Sequence, residues 1–127
     1  MEGKGRITGH TGLLALIGSP VGHSGSPAMY NYSFEKLGLD YAYVAFDIKV
    51  EEVKAALDAM RLFHMRGCNV TMPCKTEAAK YMDELSPAAR IIGAVNTIVN
   101  EDGKLIGHMT DGEGFVGNLR DHGIEIK

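Results

Sequence analysis

Short apolar runs that resemble β-strands alternate with helix-like segments along this chain of 127 residues. The first three such runs lie at residues 13–18, 41–48 and 67–72. Two more, 94–100 and 104–109, flank Glu101-Asp102-Gly103, a sequence typical of a hairpin turn. Because strand–helix alternation favours parallel pairing, we predict an α/β fold. Its three layers are a mostly parallel open sheet with helices on both faces and one antiparallel hairpin strand.

Helical segments are predicted between the strands and at the end, over residues 26–37, 50–64, 75–83, 87–92 and 111–122. For the first of them we predict that Ser26 is the N-cap and that Pro27 takes the first helical position, where a missing N–H costs nothing. Its apolar face is predicted to contain Met29, Phe34 and Leu37.

Charge and composition exclude several classes of protein. The net charge is −3 and the charged residues are interspersed, so we expect no nucleic-acid partner. No apolar stretch approaches the roughly 20 residues of a membrane span, and the polar first 12 residues do not resemble a secretory signal. The two cysteines, Cys68 and Cys74, are expected to be inert free thiols in a cytoplasmic protein. The histidines lack metal-ligand spacing, so no metal is expected.

Polar residues gather where the predicted strands end. They are Ser24 and Ser26 after the first strand, Asn69, Thr71 and Lys75 around the third, and Asn96, Thr97, Thr110 and Asp111 on the hairpin. Ligands of open α/β sheets bind beyond the carboxyl ends of the strands, so we expect these side chains to line one crevice. Hydroxyls and amides suit a small molecule with several hydroxyls and a carboxylate. A lysine beside an aspartate can transfer a proton to or from a reacting oxygen.

Four sequence segments, in order, resemble signatures of the shikimate dehydrogenase family. Residues 20–31 match P-x-x-H-S-x-S-P-x-x-x-N, residues 67–75 match G-x-N-V-T-x-P-x-K, residues 93–97 match G-A-V-N-T, and residues 110–112 match T-D-G. Gly25 and Met109 depart from residues that are common in the family. Together the signatures cover nearly the whole chain.

The resemblance implies a role for each matching residue. It implies that Ser24 and Ser26 hold the substrate carboxylate and that Lys75, paired with Asp111, is catalytic. It also implies ring-hydroxyl contacts or positioning of the base for Asn69, Thr71, Asn96 and Asp111. Tyr43 lies where the members that accept both shikimate and quinate have a tyrosine that contacts the carboxylate.

The resemblance also implies the domain organisation. Residues 1–127 are expected to form the substrate-binding domain, with NADP or NAD bound by a separate Rossmann-type domain and no cofactor-binding residue here. The complete enzyme would reversibly reduce 3-dehydroshikimate to shikimate or act on quinate, and the choice between the two substrates stays open. The 127 residues alone are expected to be inactive, and a homodimer is compatible with the family.

Other interpretations stay open from sequence alone. The domain could be a stand-alone binding module for shikimate-like acids, or a small hydrolase. Lys75 and Asp111 could form a solvent-exposed ion pair of little consequence. Ser26 could be only a helix cap, and Asn96 could serve only the hairpin backbone. Tyr43 could be only a half-buried strand residue.

Overall fold

A computed structural model of the chain describes residues 5–110 and shows strands that alternate with helices. The strands are β1 (Gly12–Gly18), β2 (Tyr41–Asp47), β3 (Gly67–Val70), β4 (Glu84–Leu85), β5 (Thr97–Glu101) and β6 (Lys104–His108). The helices are α1 (Ser26–Leu37), α2 (Val53–Leu62), α3 (Lys75–Ala79) and α4 (Pro87–Ile92), and a 3-10 turn, Val50–Glu52, precedes α2. The helix predicted over 111–122 lies outside the described residues.

The strands form one six-stranded sheet in the order β2-β1-β3-β5-β6-β4. β1 pairs in parallel with β2 and β3, and β4 pairs in parallel with β6. β5 is antiparallel to both of its neighbours, β3 and β6, as expected of a hairpin strand. The predicted α/β class, with a mostly parallel sheet and one antiparallel hairpin strand, is confirmed.

Each face of the sheet carries its own apolar core. On one face, α1 packs with Phe34 and Tyr30 against Leu14, Leu16 and Tyr43 of the first two strands. On the other face, the larger core contains Val53, Leu57 and Met60 of α2, which are spaced at i, i+4 and i+7 and are at most 2% exposed. Helices on both faces complete the three predicted layers.

The start and the face of α1 differ from the prediction. Gly25 is the N-cap, and Ser26 is the first residue of the helix. No side chain forms a capping hydrogen bond at this end. Met29 and Leu37 are more than half exposed, whereas Phe34 is buried. The helix turns residues 30 and 34 towards the sheet, and residue 29 lies about 100° away around the axis. The predictions that Ser26 is the N-cap and that Met29 and Leu37 lie on the apolar face were therefore wrong. Gly38 ends the helix as its C-cap, in a left-handed conformation.

The segment predicted as a helix over 75–83 is helical only to Ala79, and the two-residue strand β4 follows it. β4 is held by pairing with Ile106 and Gly107 of β6, and the Asp83 N–H donates to the Leu105 carbonyl at 2.9 Å. A strand of two residues has no measurable periodicity, so only its tertiary pairing identifies it.

Gly18, at the end of β1, lets the loops that follow β1 and β3 approach closely. It has a φ of 154°, and a Cβ built there would lie 2.2 Å from Thr71 Cγ2 and 3.0 Å from the Met72 carbonyl oxygen. The next residue, Ser19, donates its N–H to the same Met72 oxygen at 3.1 Å. A residue with a side chain at position 18 would therefore push apart the loops that follow β1 and β3.

Gly18→Ala should therefore destabilise the fold, whereas Gly22→Ala should not. The first change combines a strained φ with a steric clash and should lower the free energy of unfolding by about 3 kcal/mol. At Gly22 no atom lies within 4 Å of an added Cβ, so that change should stay within about 0.5 kcal/mol. Urea denaturation of both variants checks this; equal stabilities would show that the close approach at Gly18 is unimportant.

Both cysteine thiols should resist modification in the folded chain. Cys68 and Cys74 are fully buried, and burial raises the pKa of the Cys68 thiol to about 12. At pH 8 the reactive thiolate of Cys68 is then a fraction of about 10⁻⁴. A disulfide reagent should therefore label both residues only after urea is added, and rapid labelling in native buffer would contradict the buried placement.

Candidate functional site

The ends of four strands meet at one edge of the sheet and form a polar cleft. β1 and β3 end there, β5 begins there with Thr97 opposite both Asn69 and His108, and β6 ends beside it. The polar cleft consists of two adjoining cavities of about 330 and 270 Å³, both lined by Ser26 and Thr71. The polar cleft thus lies beyond the strand ends, where the crevice was predicted.

The first cavity is formed by the loop after β1. It is lined by Ser24, Ser26 and His23 together with Thr71. Ser24 Oγ accepts the Ser26 N–H at 3.1 Å, which orders the loop where it enters α1. The Ser26 hydroxyl does not cap the helix; it lines the cleft and also hydrogen-bonds the Tyr43 hydroxyl. Two hydroxyls on one short loop can donate to a carboxylate.

The second cavity combines groups from α1, β3, the α3 start and the hairpin. Five of the predicted site residues line it: Ser26, Asn69, Thr71, Lys75 and Asn96. Lys75 is the first residue of α3 and is partly exposed. Within residues 5–110 it forms no ion pair, so its ammonium group can serve a ligand in the cleft.

Tyr43 lies beneath this cavity and does not line it. Its side chain is 1% exposed and stacks on Tyr30 with ring centroids 4.6 Å apart. Its hydroxyl donates to Asn69 Oδ1 at 2.8 Å. Burial raises the pKa of the Tyr43 phenol well above its ordinary value, aided by Tyr30 and Cys68 and opposed by a hydrogen bond with Ser26. Tyr43 is therefore a neutral hydrogen-bond donor at any physiological pH.

A chain of side-chain hydrogen bonds continues from Asn69 across the sheet. Asn69 Nδ2 donates to Thr97 Oγ1 at 3.4 Å, and Thr97 Oγ1 donates to Asn96 Oδ1 at 3.1 Å. Asn96 Oδ1 also accepts the Thr110 N–H at 3.0 Å, while its Nδ2 donates to the Thr110 carbonyl at 2.5 Å. We call this chain, from Tyr43 to Thr110, the polar network.

Asn96 therefore has a clear structural task in addition to lining the cleft. Its side-chain amide hydrogen-bonds the main-chain N–H and carbonyl of Thr110, the residue before Asp111. Asp111 itself lies outside the described residues, so its pairing with Lys75 stays a prediction. Thr110 lines the same cavity as Lys75, which is the placement that such a pair requires.

Two residues that line the second cavity, Tyr30 and Val70, were not predicted to lie there. Thr97 and Thr110 also line it, as expected for the polar residues at the strand ends, although neither had been assigned a role in binding or catalysis. Tyr30 could have been found from helical spacing, because it lies four residues after Ser26 and shares its face of α1. An aromatic ring in this wall offers an apolar surface to a ring-shaped ligand.

A different cavity, of about 340 Å³, lies on the α2 side of the sheet. Its lining is almost wholly apolar and includes Ile17, Phe46, Leu57 and Phe63. Its walls could enclose an apolar group but have few polar atoms with which to orient a hydroxylated one. The polar cleft is therefore the better candidate for a functional site.

Within residues 5–110, no three histidine, cysteine, aspartate or glutamate side chains lie close enough together to hold a metal ion. Over the same residues, no helix has the length and apolar character needed to cross a membrane.

Comparison with known proteins is consistent with this geometry. The family described as shikimate dehydrogenase substrate binding domain matches residues 16–98. A shikimate dehydrogenase (NADP(+)) of Listeria monocytogenes is 53% identical over 121 residues, which are 95% of this chain and 42% of the relative. One from Streptococcus uberis is 52% identical over 96% of this chain and 42% of the relative. The chain thus spans less than half the length of these relatives.

A solved structure supports the same assignment. The crystal structure of Listeria monocytogenes shikimate 5-dehydrogenase, in complex with shikimate and NAD, superposes with a TM-score of 0.82 at 52% identity. The superposition covers 96% of this chain and 42% of the Listeria chain. Since the family match extends over most of the sequence and the described fold agrees, this chain belongs to the family of shikimate dehydrogenase substrate-binding domains.

Proposed function

We propose that residues 1–127 are the substrate-binding domain of an NADP- or NAD-dependent shikimate dehydrogenase. In the complete protein this domain would bind shikimate or 3-dehydroshikimate, with quinate as a further substrate, and supply the catalytic lysine. The observation that carries the proposal is the convergence of Ser26, Asn69, Thr71, Lys75 and Asn96 on one cavity. The relatives named above are shikimate dehydrogenases, which favours this function over a stand-alone sensor of shikimate-like acids.

The substrate carboxylate would bind in the first cavity. Ser24 and Ser26 are hydroxyl donors on a loop that their own hydrogen bond orders, so little conformational entropy is lost when a ligand binds. Thr71 lies across from them and can add a third hydroxyl. A role for Tyr43 in contacting the carboxylate, as in the members that accept quinate, stays a prediction because its hydroxyl is directed to Asn69.

The ring hydroxyls would bind in the second cavity. Asn69 Oδ1 accepts a hydrogen bond from the Tyr43 hydroxyl, and one hydrogen of Nδ2 is donated to Thr97. No other residue within 5–110 accepts the second Nδ2 hydrogen, so it can be donated to a ligand. This wall would reject ligand analogues that lack the ring hydroxyl, because the second Nδ2 hydrogen of Asn69 would then be left without a hydrogen-bond partner. Tyr30 can contact the apolar face of the ring.

Lys75 is the proposed proton donor and acceptor. In the reductive direction its ammonium would donate a proton to the oxygen of the carbonyl, and in the oxidative direction the neutral amine would take the hydroxyl proton. A bound nicotinamide cofactor would supply or accept the hydride. Asn96 would hold Thr110, and with it the following Asp111, close to Lys75.

The proposed cofactor site lies in another part of the protein. The loop from β1 to α1 has glycines at 18, 22 and 25, which do not fit the G-x-G-x-x-G spacing of a dinucleotide-binding turn. The sequence Gly112-Glu113-Gly114-Phe115-Val116-Gly117 has that spacing but lies outside the described residues. A cytoplasmic location and a homodimer are further parts of the proposal.

Replacing Lys75 in the complete protein should abolish most turnover. Lys75→Ala should lower kcat for shikimate oxidation by roughly 10²–10⁴-fold, because a positioned acid–base group is lost. Steady-state kinetics measure this. Lys80→Ala is the matched control, since Lys80 is an exposed lysine whose ion pair is with Glu77, and it should leave kcat unchanged. Full activity of Lys75→Ala would rule out the catalytic role.

Ser24→Ala should weaken binding of shikimate and quinate alike. A hydrogen bond to a charged group contributes about 1.5–3 kcal/mol, so the dissociation constant should rise by about one to two orders of magnitude. Calorimetric titration of the complete protein gives this constant directly. Ser33→Ala, on α1 and outside both cavities, should bind as tightly as the unaltered protein. Equal affinity of Ser24→Ala and the unaltered protein would place the carboxylate elsewhere.

A further inference from the structure

Asn31 belongs to the first signature of the sequence, yet it lines neither cavity of the polar cleft. It is on α1, and its side chain reaches the outer edge of β2. β2 is the first strand in the sheet order and pairs only with β1, so the main-chain groups on its other side need partners from elsewhere.

Asn31 provides those partners at one residue of β2, Tyr43. Asn31 Nδ2 donates to the Tyr43 carbonyl at 2.7 Å, and the Tyr43 N–H donates to Asn31 Oδ1 at 2.9 Å. The amide thus bonds to Tyr43 as a neighbouring strand would. The Arg6 guanidinium donates to the Tyr41 and Leu39 carbonyls and approaches Asn31 Oδ1 at 3.5 Å, which further orders the amide.

The residue that Asn31 grips is also the first member of the polar network. The Tyr43 hydroxyl donates to Asn69 Oδ1 at 2.8 Å, which stabilises the orientation of the Asn69 amide in which Nδ2 faces Thr97. With the oxygen held by Tyr43, Asn69 presents its N–H groups to Thr97 and to a ligand. If Tyr43 shifted, the Asn69 amide could rotate and present its oxygen instead.

We propose that Asn31 is a positioning residue for substrate recognition. It fixes the Tyr43 main chain, and through the Tyr43 hydroxyl it fixes the orientation of the Asn69 amide in the cleft. The expected effect on kinetics rests on the proposed function, whereas the effect of Asn31 on Tyr43 and on the Asn69 amide does not. Lys75 is on a different element, so the loss of Asn31 should affect binding of the ring more than the proton transfer.

The structure offers a matched control for Asn31 in Asn100. Asn100 also uses its amide to bond main-chain groups, with Nδ2 donating to the Met65 carbonyl at 2.8 Å and Oδ1 accepting the Gly103 N–H at 2.8 Å. It lies at the far end of β5 from Thr97 and contacts neither cavity. Loss of either amide should reduce stability, whereas only loss of Asn31 should alter the site.

In the complete protein, Asn31→Ala should raise KM for shikimate about 10-fold and leave kcat within about twofold. Tyr43→Phe, which deletes only the hydroxyl, should have a similar effect, and the double variant should be no worse than either single one because both act through the same bond. Asn100→Ala should leave KM unchanged. Unchanged KM in Asn31→Ala, or fully multiplicative effects in the double variant, would overturn the proposal.

Nuclear magnetic resonance of the Asn69 side-chain amide gives a test that requires no substrate. Its resonances should move in Asn31→Ala and in Tyr43→Phe and should stay in place in Asn100→Ala. Unmoved resonances in a folded Asn31 variant would overturn the proposal even if the protein proved not to act on shikimate. Should Asn31→Ala fail to fold, Asn31→Asp keeps the acceptor for the Tyr43 N–H and removes the donor, and it should move the same resonances.

Discussion

The polar network, which lies in the wall of the cleft, is the interaction on which the site depends. It begins at Tyr43 on β2, passes through Asn69 on β3 and Thr97 on β5, and ends where Asn96 holds Thr110 after β6. Each side chain uses part of its hydrogen-bonding capacity on a neighbour and so has its orientation fixed. Inside a protein, such a network is stronger than its separate bonds would be in water. The cleft is therefore ordered before a ligand arrives, which reduces the entropic cost of binding.

Two features of the backbone bring the groups around this network together. The absence of a side chain at Gly18 lets the loop after β1, which contains Ser24, pack against the loop after β3 that leads to Lys75. The antiparallel direction of β5 places Thr97 opposite Asn69, and the return of β6 places Thr110 next to Asn96. A sheet of parallel strands alone would need a crossover helix between these strands. The hairpin instead delivers two polar ends to the same edge within a short stretch of chain.

Much of this could be predicted from sequence, for identifiable reasons. The strand–helix alternation predicted the fold class. The motifs predicted site roles for five of the residues that line the second cavity: Ser26, Asn69, Thr71, Lys75 and Asn96. What could not be predicted depends on tertiary contacts. β4 exists because β6 pairs with it. The N-cap is Gly25 because the chain already enters the helix at Ser26, in a loop where Ser24 accepts the Ser26 N–H. The family resemblance implied that Tyr43 contacts the ligand, but its hydroxyl is directed towards Asn69 and its ring packs on Tyr30, which no motif encodes.

The most direct test of this interpretation is a crystal structure of the complete protein with shikimate bound. We expect the carboxylate to lie within hydrogen-bond distance of the Ser24 and Ser26 hydroxyls, and the ring to contact Asn69, Lys75 and Tyr30. We also expect the Tyr43 hydroxyl to remain on Asn69. Shikimate bound with its carboxylate away from the serine loop, or bound outside the polar cleft, would contradict the proposed site.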